Sequence, residues 1–565
     1  MTNNTVAEAP PPETFKQRTL PREEIIVAVV AMLLAAFLRL VHVSYSEFFG
    51  SEFFTLDFVG GKRPPLLHAM FVGALPLYYE FIKLWGNYAT ATNELIMRLP
   101  SVAFGLLTCV AFFFYGQRYL RGTAFAVALL GFAFNPTLVS ISNDATPFAL
   151  LSLWAVLANY FCVRSLDEGG SRNWTLYSIS ASLGALTHPL FWFVLFAHFV
   201  FAMVRPRKTP RPFLLVSMAG LFVQIAIVIF SVVYIEQNFP KKFDIAAPQI
   251  DDVVRGLIAV LLGDFDRHGA TQFFQAFMYV FVFACLILSF LYYRKRAEEA
   301  ASLPENVVWI DETQDVVGQW KRMSLASFLL FQWFAFALPA LGILILGSFV
   351  SRVELLPEYF VICLPPLVML LAAGVDATPT KAGKIAMGLV FVGLMSFYNV
   401  KSLSDKGMGV YDLFLYLQKE NFDPNKDALI FIKYGGLEKA VERYSGGIKG
   451  EKITSKDSNQ DMDAKLTAAV AGKVRVYVMF NNDYRLVGRQ AYRSSGKEWF
   501  ENRETEWRMT KDRLLSKAEQ TIVRKYVRTG SPEEIQARKD ARQEPVAEPA
   551  VPKIKPEPEP ETEIK

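Results

Sequence analysis

Long runs of apolar residues, separated by short polar segments, dominate the first 400 positions of the chain. A run of about 20 apolar residues is long enough to cross the roughly 30 Å hydrocarbon core of a bilayer as a helix. The pattern predicts clear spans at residues 25–43, 99–119, 123–141, 147–165, 211–236, 271–293, 323–349, 357–375 and 383–400.

A further apolar stretch, residues 174–204, is interrupted near its middle by Thr187, His188 and Pro189. Basic residues decide how often this stretch crosses, because the cytoplasmic loops of membrane proteins are enriched in Lys and Arg. Two crossings place about twice as many basic residues on the cytoplasmic side as on the opposite side. We therefore predict a membrane all-α bundle of about eleven spans, with the amino terminus inside and the carboxyl terminus outside.

The segments that flank the predicted bundle have other compositions. Residues 1–24 show no small-residue cleavage site and read as a disordered cytoplasmic tail, so the span at 25–43 is kept as the first helix of the membrane domain 25–400. In residues 401–530, DALIFIKY and KVRVYVMF predict buried strands, whereas YDLFLYLQKENF and DRLLSKAEQTIVRKYV predict helices. We expect a small extracytoplasmic α/β domain there, followed by a disordered tail rich in Pro and Glu at 531–565.

Composition supports the membrane class. Hydrophobic residues make up 52% of the chain and aromatic residues 14%, and the net charge is only +5. This weak and scattered charge argues against a nucleic-acid partner and leaves the lipid bilayer as the expected surroundings. All four cysteines fall within apolar runs, where cysteine packs as a small hydrophobic residue.

Unusual polar residues fall on one side of this topology. The predicted outer loops carry acidic residues and histidines together with an arginine before a late span; these are Glu52, Asp57, His68, Asp144, His188 and Arg352. His188 lies between two short apolar spans, and an ionisable group at such depth is by default a candidate for function. The predicted topology therefore places a reactive site at the outer surface of the membrane.

Several segments carry a family resemblance when they are taken in order over about residues 25–400. They are GSEFFTLDF, PLYYEFIKLWG, ELIMRLPSVAFGLLT, NPTLVSISNDATPFALLSL, ALTHPLFWFVLFAH and PEYFVICLPPLVMLLAAG. The chain resembles the polyprenyl-phosphate-sugar-dependent glycosyltransferases of the C-type membrane fold, which include protein mannosyltransferases and aminoarabinose transferases, and most of all a bacterial mannosyltransferase-like branch. The resemblance implies an active site in the first outer loop, where one carboxylate acts as base, and a soluble domain after the last span.

The chain departs from the pattern of this family at three places. Where the family has Asp followed by Glu, this chain has Ser51 followed by Glu52. Thr146 stands where an arginine is common, and Glu358 precedes Tyr359 where the family often has Arg-Tyr. One acid and two basic positions are therefore missing, which bears on the charge of the substrate and on whether activity is retained.

The chemistry of sugar transfer assigns roles to the acidic candidates. A transfer that inverts the anomeric centre needs one base beside the acceptor, and Glu52 is our first candidate, with a solvated loop acid as the alternative. Asp57 and Asp144 follow, either as a second acid or as ligands of a divalent cation bound through oxygen. Helix capping is the equally weighted alternative for these two residues.

The remaining candidates would bind substrate. His188 and Arg352 are candidates for contact with the lipid phosphate, and the alternatives are a hydrogen bond within the helical turn and an interfacial anchor, respectively. We expect Tyr78 and Tyr79 to line the groove, unless they belong to an interfacial aromatic belt; His68 is a weaker candidate. Arg98 is expected to pair with Glu94, one helical turn away.

These observations together predict an inverting glycosyltransferase of the bacterial cytoplasmic (inner) membrane. It would transfer a sugar from a polyprenyl-phosphate donor to an extracytoplasmic lipid, glycan or protein. The alternative is a non-catalytic membrane scaffold or lipid-binding subunit on the same fold. A transporter is a third class, and it would place charged groups at mid-bilayer on several helices, which the spans at 211–236 and 271–293 do not.

Overall fold

The computed structural model describes residues 21–41, 43, 48, 50–61, 75–89, 93–168, 170–204, 250–262, 272–301, 325–349, 357–403, 410–432, 443–444, 448, 450–453, 459–481, 499–500, 503, 506–516 and 521–528. The chain divides into two compact units. The first comprises residues 1–411 together with 436–444 and 516–519, and the second comprises 412–435, 445–515 and 520–565.

The described part of the first unit is helical. Its helices are α1 (Arg22–Leu40), α2 (Gly50–Val59), α3 (Pro76–Ala89), α4 (Glu94–Tyr119), α5 (Gly122–Ala133), α6 (Pro136–Ser142), α7 (Phe148–Glu168), α8 (Ser171–Thr187), α9 (Phe191–Val204), α10 (Ile250–Leu262), α11 (Gln272–Ala301), α12 (Leu325–Phe349), α13 (Leu364–Asp376) and α14 (Lys381–Leu403). A 3-10 helix, Pro357–Cys363, leads into α13.

Most predicted spans coincide with helices. Among the described residues, four helical segments are long and apolar enough to cross a membrane, namely Glu94–Tyr119, Phe148–Glu168, Leu325–Ile345 and Pro357–Asp376. The bent pair α5 and α6 adds a fifth if the two helices form one span. The stretch 174–204 forms two helices, α8 and α9, which are separated at His188–Leu190. The predicted span at 211–236 lies outside the described residues, so the count of eleven stays a prediction.

The bend of 41° between α5 and α6 is held by buried polar side chains. Arg39 of α1 donates to Ala133 O at 3.2 Å and to Ser142 Oγ at 3.2 Å, which joins both sides of the break. Asn135 donates to the last backbone carbonyls of α10, and Asn399 of α14 donates to the backbone carbonyl of Phe134. Because hydrocarbon cannot satisfy an interrupted backbone, these bonds allow a break inside an apolar bundle.

The described part of the second unit contains a five-stranded sheet. It comprises α15 (Val410–Lys419, whose first two residues belong to the first unit), β1 (Asp427–Ile432), β2 (Glu451–Ile453), α16 (Asn459–Val470), β3 (Arg475–Asn481), β4 (Trp507–Ser516) and β5 (Thr521–Arg528). The strand order is β2-β1-β3-β5-β4, in which β1 is parallel to β2 and β3, and β3 is antiparallel to β5.

The core of this unit follows the two-residue period of the strands. Ala428, Ile430, Val476 and Val478 pack in one cluster with Leu466 of α16. The strands β1 and β3 coincide with the segments DALIFIKY and KVRVYVMF, for which strands were predicted.

The prediction of a helix over DRLLSKAEQTIVRKYV was wrong. The described residues of this segment, 512–516 and 521–527, belong instead to the end of β4 and to β5, and β5 pairs with β3 from Thr521 to Val527. Val523 and Tyr526 are three residues apart and therefore lie on opposite faces of β5; they are 1% and 5% exposed, so the strand is covered on both faces. The pairing strand lies more than forty residues earlier in the chain, so local spacing alone misassigned the segment.

We expect Gly374→Ala to destabilise the helical unit. A Cβ atom at Gly374 of α13 would lie 2.1 Å from the backbone oxygen of Cys285 in α11, and backbone cannot move aside as a side chain can. Overpacking of this kind lowers the free energy of unfolding by about 1–3 kcal/mol. Gly393→Ala in α14 is the matched control, since no heavy atom of the described residues, apart from the backbone of its own helix, lies within 4 Å of its Cβ position. Thermal unfolding in detergent measures both variants, and equal midpoints would contradict the close crossing.

Candidate active site

A buried ion pair joins α2 to α4. The side chains of Glu52, in the first turn of α2, and of Arg98 are each 1% exposed. Arg98 Nε donates to Glu52 Oε1 at 2.8 Å, and Arg98 Nη2 donates to Glu52 Oε2 at 2.7 Å. Two parallel charge-assisted bonds of this kind are strong and fix the geometry of both groups. Because water is excluded from both, each charge depends on the other for neutralisation.

The expected pairing of Arg98 with Glu94 was wrong. Asn93 caps α4 by accepting a hydrogen bond from the Ile96 N–H, and this leaves Glu94 partly exposed in the first turn while Arg98 is buried. A helical i,i+4 pair is worth only about 0.5 kcal/mol at a surface, whereas a buried guanidinium requires a carboxylate that is buried with it. Glu52, 46 positions earlier in the chain, supplies that carboxylate.

Helix α2 also holds the loop between α6 and α7 through the backbone of one residue. The Ala145 N–H donates to Glu52 Oε1 at 2.8 Å, and Thr55 Oγ1 donates to the Ala145 carbonyl oxygen at 2.7 Å. Glu52 and Thr55 lie three residues apart on the helix, so they share one face and bind the N–H and the carbonyl oxygen of Ala145, respectively. The ion pair therefore fixes the position of the neighbouring residue, Asp144.

The loop residues around Asp144 are polar and largely buried. Asp144 is half-buried, while Asn143 and Thr146 are buried at 0% and 4% exposure. Within the described part of the chain, the side-chain Oδ1 and Nδ2 atoms of Asn143 make no hydrogen bond. The hydroxyl of Thr146 makes none either. Since α7 begins at Phe148, Asp144 does not occupy the N-cap position of that helix, which weakens the capping alternative.

Tyr78 and Tyr79 of α3 lie beside these acids. Tyr78 is fully buried, with its hydroxyl 3.5 Å from Ser101 Oγ. Burial raises the pKa of Tyr78 well above its ordinary value, and the negative charges of Glu52 and Asp144 raise this pKa further. Tyr78 is therefore a neutral phenol within electrostatic range of both carboxylates. Tyr79 packs its ring against Phe54 and Phe58 of α2, with centroid distances of 5.4 and 5.2 Å.

His188 lies in the turn between α8 and α9, among aromatic rings. Its ring centroid is 5.2 Å from that of Phe148 at the start of α7 and 6.4 Å from that of Tyr359 in the 3-10 helix. The Leu190 N–H donates to His188 Nδ1 at 3.2 Å, so the proton of the neutral ring is on Nε2. Burial lowers the pKa of His188 to about 3. The imidazole is therefore a neutral hydrogen-bond donor at physiological pH.

Of the remaining predicted site residues, the structure describes Asp57. Asp57 is half-buried on α2, and at about 100° per residue its side chain leaves the helix roughly 140° away from that of Glu52. His68 and Arg352 lie outside the described residues. Sequence reasoning missed the roles of Arg98 and of Tyr444, which donates to Glu94 Oε1 at 2.7 Å. The one available signal was an arginine close to the start of an apolar helix.

Comparison with known families gives a partial match. The family model described as dolichyl-phosphate-mannose-protein mannosyltransferase matches residues 76–235. The matched region contains Tyr78, Arg98, Asp144 and His188, and it excludes Glu52. The match confirms the predicted resemblance to the C-type membrane glycosyltransferases. A comparison with curated protein sequences found no match.

Solved structures of low sequence identity are similar over most of the chain. The oligosaccharyltransferase AglB from Archaeoglobus fulgidus, in complex with an inhibitory peptide and a dolichol-phosphate, is 13% identical with a TM-score of 0.41; the alignment covers 86% of this chain and 72% of AglB. ArnT from Cupriavidus metallidurans bound to undecaprenyl phosphate is 12% identical with a TM-score of 0.40, covering 89% of this chain and 97% of ArnT.

We expect Glu52→Gln to destabilise the fold strongly. The substitution leaves the charge of Arg98 buried without its counterion, which lowers the free energy of unfolding by about 3–5 kcal/mol. The double variant Glu52→Gln with Arg98→Met removes both charges and should recover part of this loss. Thermal unfolding in detergent, followed by size-exclusion chromatography, measures all three forms.

Arg294→Gln is the control for this ion pair. Arg294 forms an i,i+4 pair with Glu298 in which both side chains are at least 65% exposed, so its loss should change the free energy of unfolding by no more than about 0.5 kcal/mol. A Glu52→Gln variant as stable as Arg294→Gln would contradict the buried pair.

The depressed pKa of His188 predicts a pH-dependent stability. Between the ordinary value of 6.5 and about 3, the unfolded chain binds a proton that the folded chain does not, so His188 destabilises the fold as pH falls through this window. His188→Asn keeps an acceptor for the Leu190 N–H and removes the titration. From pH 7 to pH 5 we expect the wild type to lose about 2 kcal/mol more stability than this variant, measured by thermal unfolding. Parallel pH curves would show that His188 is accessible to protons.

Proposed function

We propose that the chain is an integral-membrane glycosyltransferase that transfers a sugar from a polyprenyl-phosphate donor to an extracytoplasmic acceptor with inversion. It would act in the bacterial cytoplasmic membrane as a bundle of about eleven spans, with the amino terminus inside and the soluble domain of residues 401–530 outside. The apolar helices, the resemblance to the C-type glycosyltransferases and the family match over residues 76–235 support this proposal. The donor is suggested by the two relatives whose structures hold a dolichol-phosphate and undecaprenyl phosphate.

One observation carries the proposal: Asp144 is held, half-buried, beside a buried and neutralised acid. Both oxygens of Glu52 accept hydrogen bonds from Arg98 or from the Ala145 N–H, and the side chain is 1% exposed. An acceptor hydroxyl would reach Glu52 only after the ion pair had broken. We therefore assign the role of base to Asp144 and a positioning role to Glu52, with Asp57 as the less favoured second acid.

The reaction then proceeds by a single displacement. The acceptor hydroxyl loses its proton to the Asp144 carboxylate as its oxygen attacks the anomeric carbon on the face opposite the phosphate. The bond from that carbon to the phosphate oxygen breaks, and its electron pair leaves with the lipid phosphate. One displacement of this kind inverts the anomeric centre and needs one carboxylate.

Donors of hydrogen bonds would stabilise the departing phosphate. His188 presents a neutral Nε2–H in a buried aromatic setting, where a single hydrogen bond is stronger than in water. Arg352 is proposed as the cation that meets the phosphate charge, because a guanidinium matches the geometry of phosphate oxygens. Tyr78 and Tyr79 would form the wall of the site beneath the two acids, and His68 remains a weaker candidate for substrate contact.

A divalent cation bound through oxygen is the alternative role for the acids of this site. Asp144 with Asn143 and Thr146 offers oxygen atoms of the type that hard divalent cations bind. Within the described ranges, however, no three His, Cys, Asp or Glu side chains lie close enough together to hold a metal ion. These residues do not make a convincing metal site, and the proposed mechanism uses none.

The second candidate function is a non-catalytic membrane scaffold or lipid-binding subunit. Two observations favour it: Ser51 stands where the resembled family has an acid, and the retained Glu52 is occupied by an ion pair. A scaffold would keep the fold-stabilising pair while the acid at position 144 served no reaction.

We expect Asp144→Asn to abolish sugar transfer with little effect on folding. Loss of the base should lower kcat by about 100-fold or more, because general base catalysis contributes roughly 10²–10⁴-fold. The assay supplies a panel of radiolabelled polyprenyl-phosphate sugars to proteoliposomes and follows transfer to envelope acceptors. Asp57→Asn tests the less favoured acid, and we expect it to retain at least about half of the wild-type rate because its side chain leaves α2 on another side from that of Glu52.

The outcomes of this assay separate the two functions. Equal rates for Asp144→Asn and the wild type would remove Asp144 as base. No product from the folded wild-type chain with any donor would favour the scaffold.

A further inference from the structure

Two residues that follow the first strand of the sheet unit pack within the helical unit, beside the buried ion pair. Residues 436–444 belong to the first compact unit, although β1 before them and β2 after them belong to the second. Of the segment 436–444, the structure describes Arg443 and Tyr444. Both make specific contacts with the elements that carry Glu52 and Arg98.

Tyr444 links two of these elements through a single hydroxyl. Its oxygen accepts a hydrogen bond from the Phe48 N–H at 2.8 Å, and its proton is donated to Glu94 Oε1 at 2.7 Å. Phe48 lies two residues before α2, and Glu94 is the first residue of α4. The hydroxyl therefore fixes the distance between the starts of the two helices that form the ion pair.

The ring of Phe48 also contacts the guanidinium of Arg98. Phe48 is fully buried, and the Cζ atom of Arg98 lies 5.3 Å from its ring centroid. On the same ring, the Cζ atom of Arg443 lies 4.8 Å from the centroid. Guanidinium groups at such distances are attracted by the negative face of the ring, and this attraction strengthens when water is excluded.

Arg443 completes the arrangement at its outer side. Its Nε lies 3.4 Å from Glu94 Oε1, and its side chain is 31% exposed. It therefore adds a partly exposed positive charge close to a pair whose own charges cancel. The contacts of these two residues lead through the ring of Phe48 to Arg98, and through Glu94 to the start of the helix that carries Arg98.

We propose that Arg443 and Tyr444 are positioning residues of the candidate site. Together they form a latch, Arg443–Tyr444, that holds the starts of α2 and α4 at a fixed distance. The latch thereby sets the geometry of Glu52, Arg98 and Asp144. The consequence for catalysis rests on the proposed function. The latch means that the transferase site is completed by a segment from beyond the last predicted span. A chain that ended after the membrane bundle would lack this constraint.

The first test asks whether the latch forms in the full-length protein in lipid nanodiscs. Glu94→Cys and Tyr444→Cys are combined and treated with a short bis-maleimide, and the single variants serve as controls. The four native cysteines are all buried, so their background reaction is small. We expect one intramolecular cross-link, identified by mass spectrometry. Its absence from the folded protein would overturn the proposal.

The second test asks whether the latch positions the site. Tyr444→Phe removes the bridging hydroxyl and keeps the ring, whereas the control Tyr477→Phe removes a buried hydroxyl that has no hydrogen-bond partner among the described residues. We expect Tyr444→Phe to lower kcat for sugar transfer about 10-fold, with the donor KM within about twofold of the wild type, and Tyr477→Phe to change neither. Equal kcat values for the two variants would overturn the positioning role.

An inactive wild-type protein would refute the proposed function and leave the latch testable. Thermal unfolding midpoints are then compared for Tyr444→Phe, Glu94→Gln and the double variant. If the hydroxyl and the carboxylate act as one unit, the double variant should unfold within about 1 °C of the less stable single variant. Strictly additive losses would overturn the latch.

Discussion

The ion pair between Glu52 and Arg98 is the constraint on which the candidate site depends. Neither charge is tolerated alone at 1% exposure, so the start of α2 and the second turn of α4 must meet at one fixed geometry. The same carboxylate accepts the Ala145 N–H, which extends the constraint to a third element. A surface acid at position 52 would leave the loop of Asp144 without this anchor. Because each buried charge requires the other, the ion pair also fixes the position of the loop that carries Asp144.

A second set of polar contacts fixes the same loop from its other end. The loop continues from α6, and α6 is held across its break from α5 by the side chains of Arg39, Asn135 and Asn399. These bonds satisfy backbone carbonyls that an apolar interior would leave without partners. Asp144 therefore follows a helix, α6, that side-chain hydrogen bonds hold in place, and it precedes Ala145, whose N–H binds the buried ion pair. Its position is set by polar contacts on both sides, within a bundle that is otherwise apolar.

Helix bounds, which depend on consecutive residues, could be predicted from the sequence. Contacts between residues distant in the chain could not. The bounds of α7 and α12 could be predicted because hydropathy is a property of consecutive residues. The partner of Arg98 could not, because Glu94 lies one turn away in sequence while Glu52 lies 46 positions away and becomes adjacent only when the bundle has packed. The strand β5 was misassigned for the same reason, since its pairing with β3 is a contact of the folded domain.

The departure at Ser51 changes how charge is distributed in the proposed site. A hydroxyl in place of a carboxylate at position 51 removes one negative charge, and Arg98 neutralises the next acid, Glu52. An anionic lipid phosphate then meets less repulsion on approach, because like charges in a low dielectric repel strongly. With less repulsion to overcome, a weaker donor such as the neutral imidazole of His188 suffices beside the proposed Arg352. The loss of an acid is thus compatible with a site that binds an anionic donor through fewer basic residues than the resembled family has.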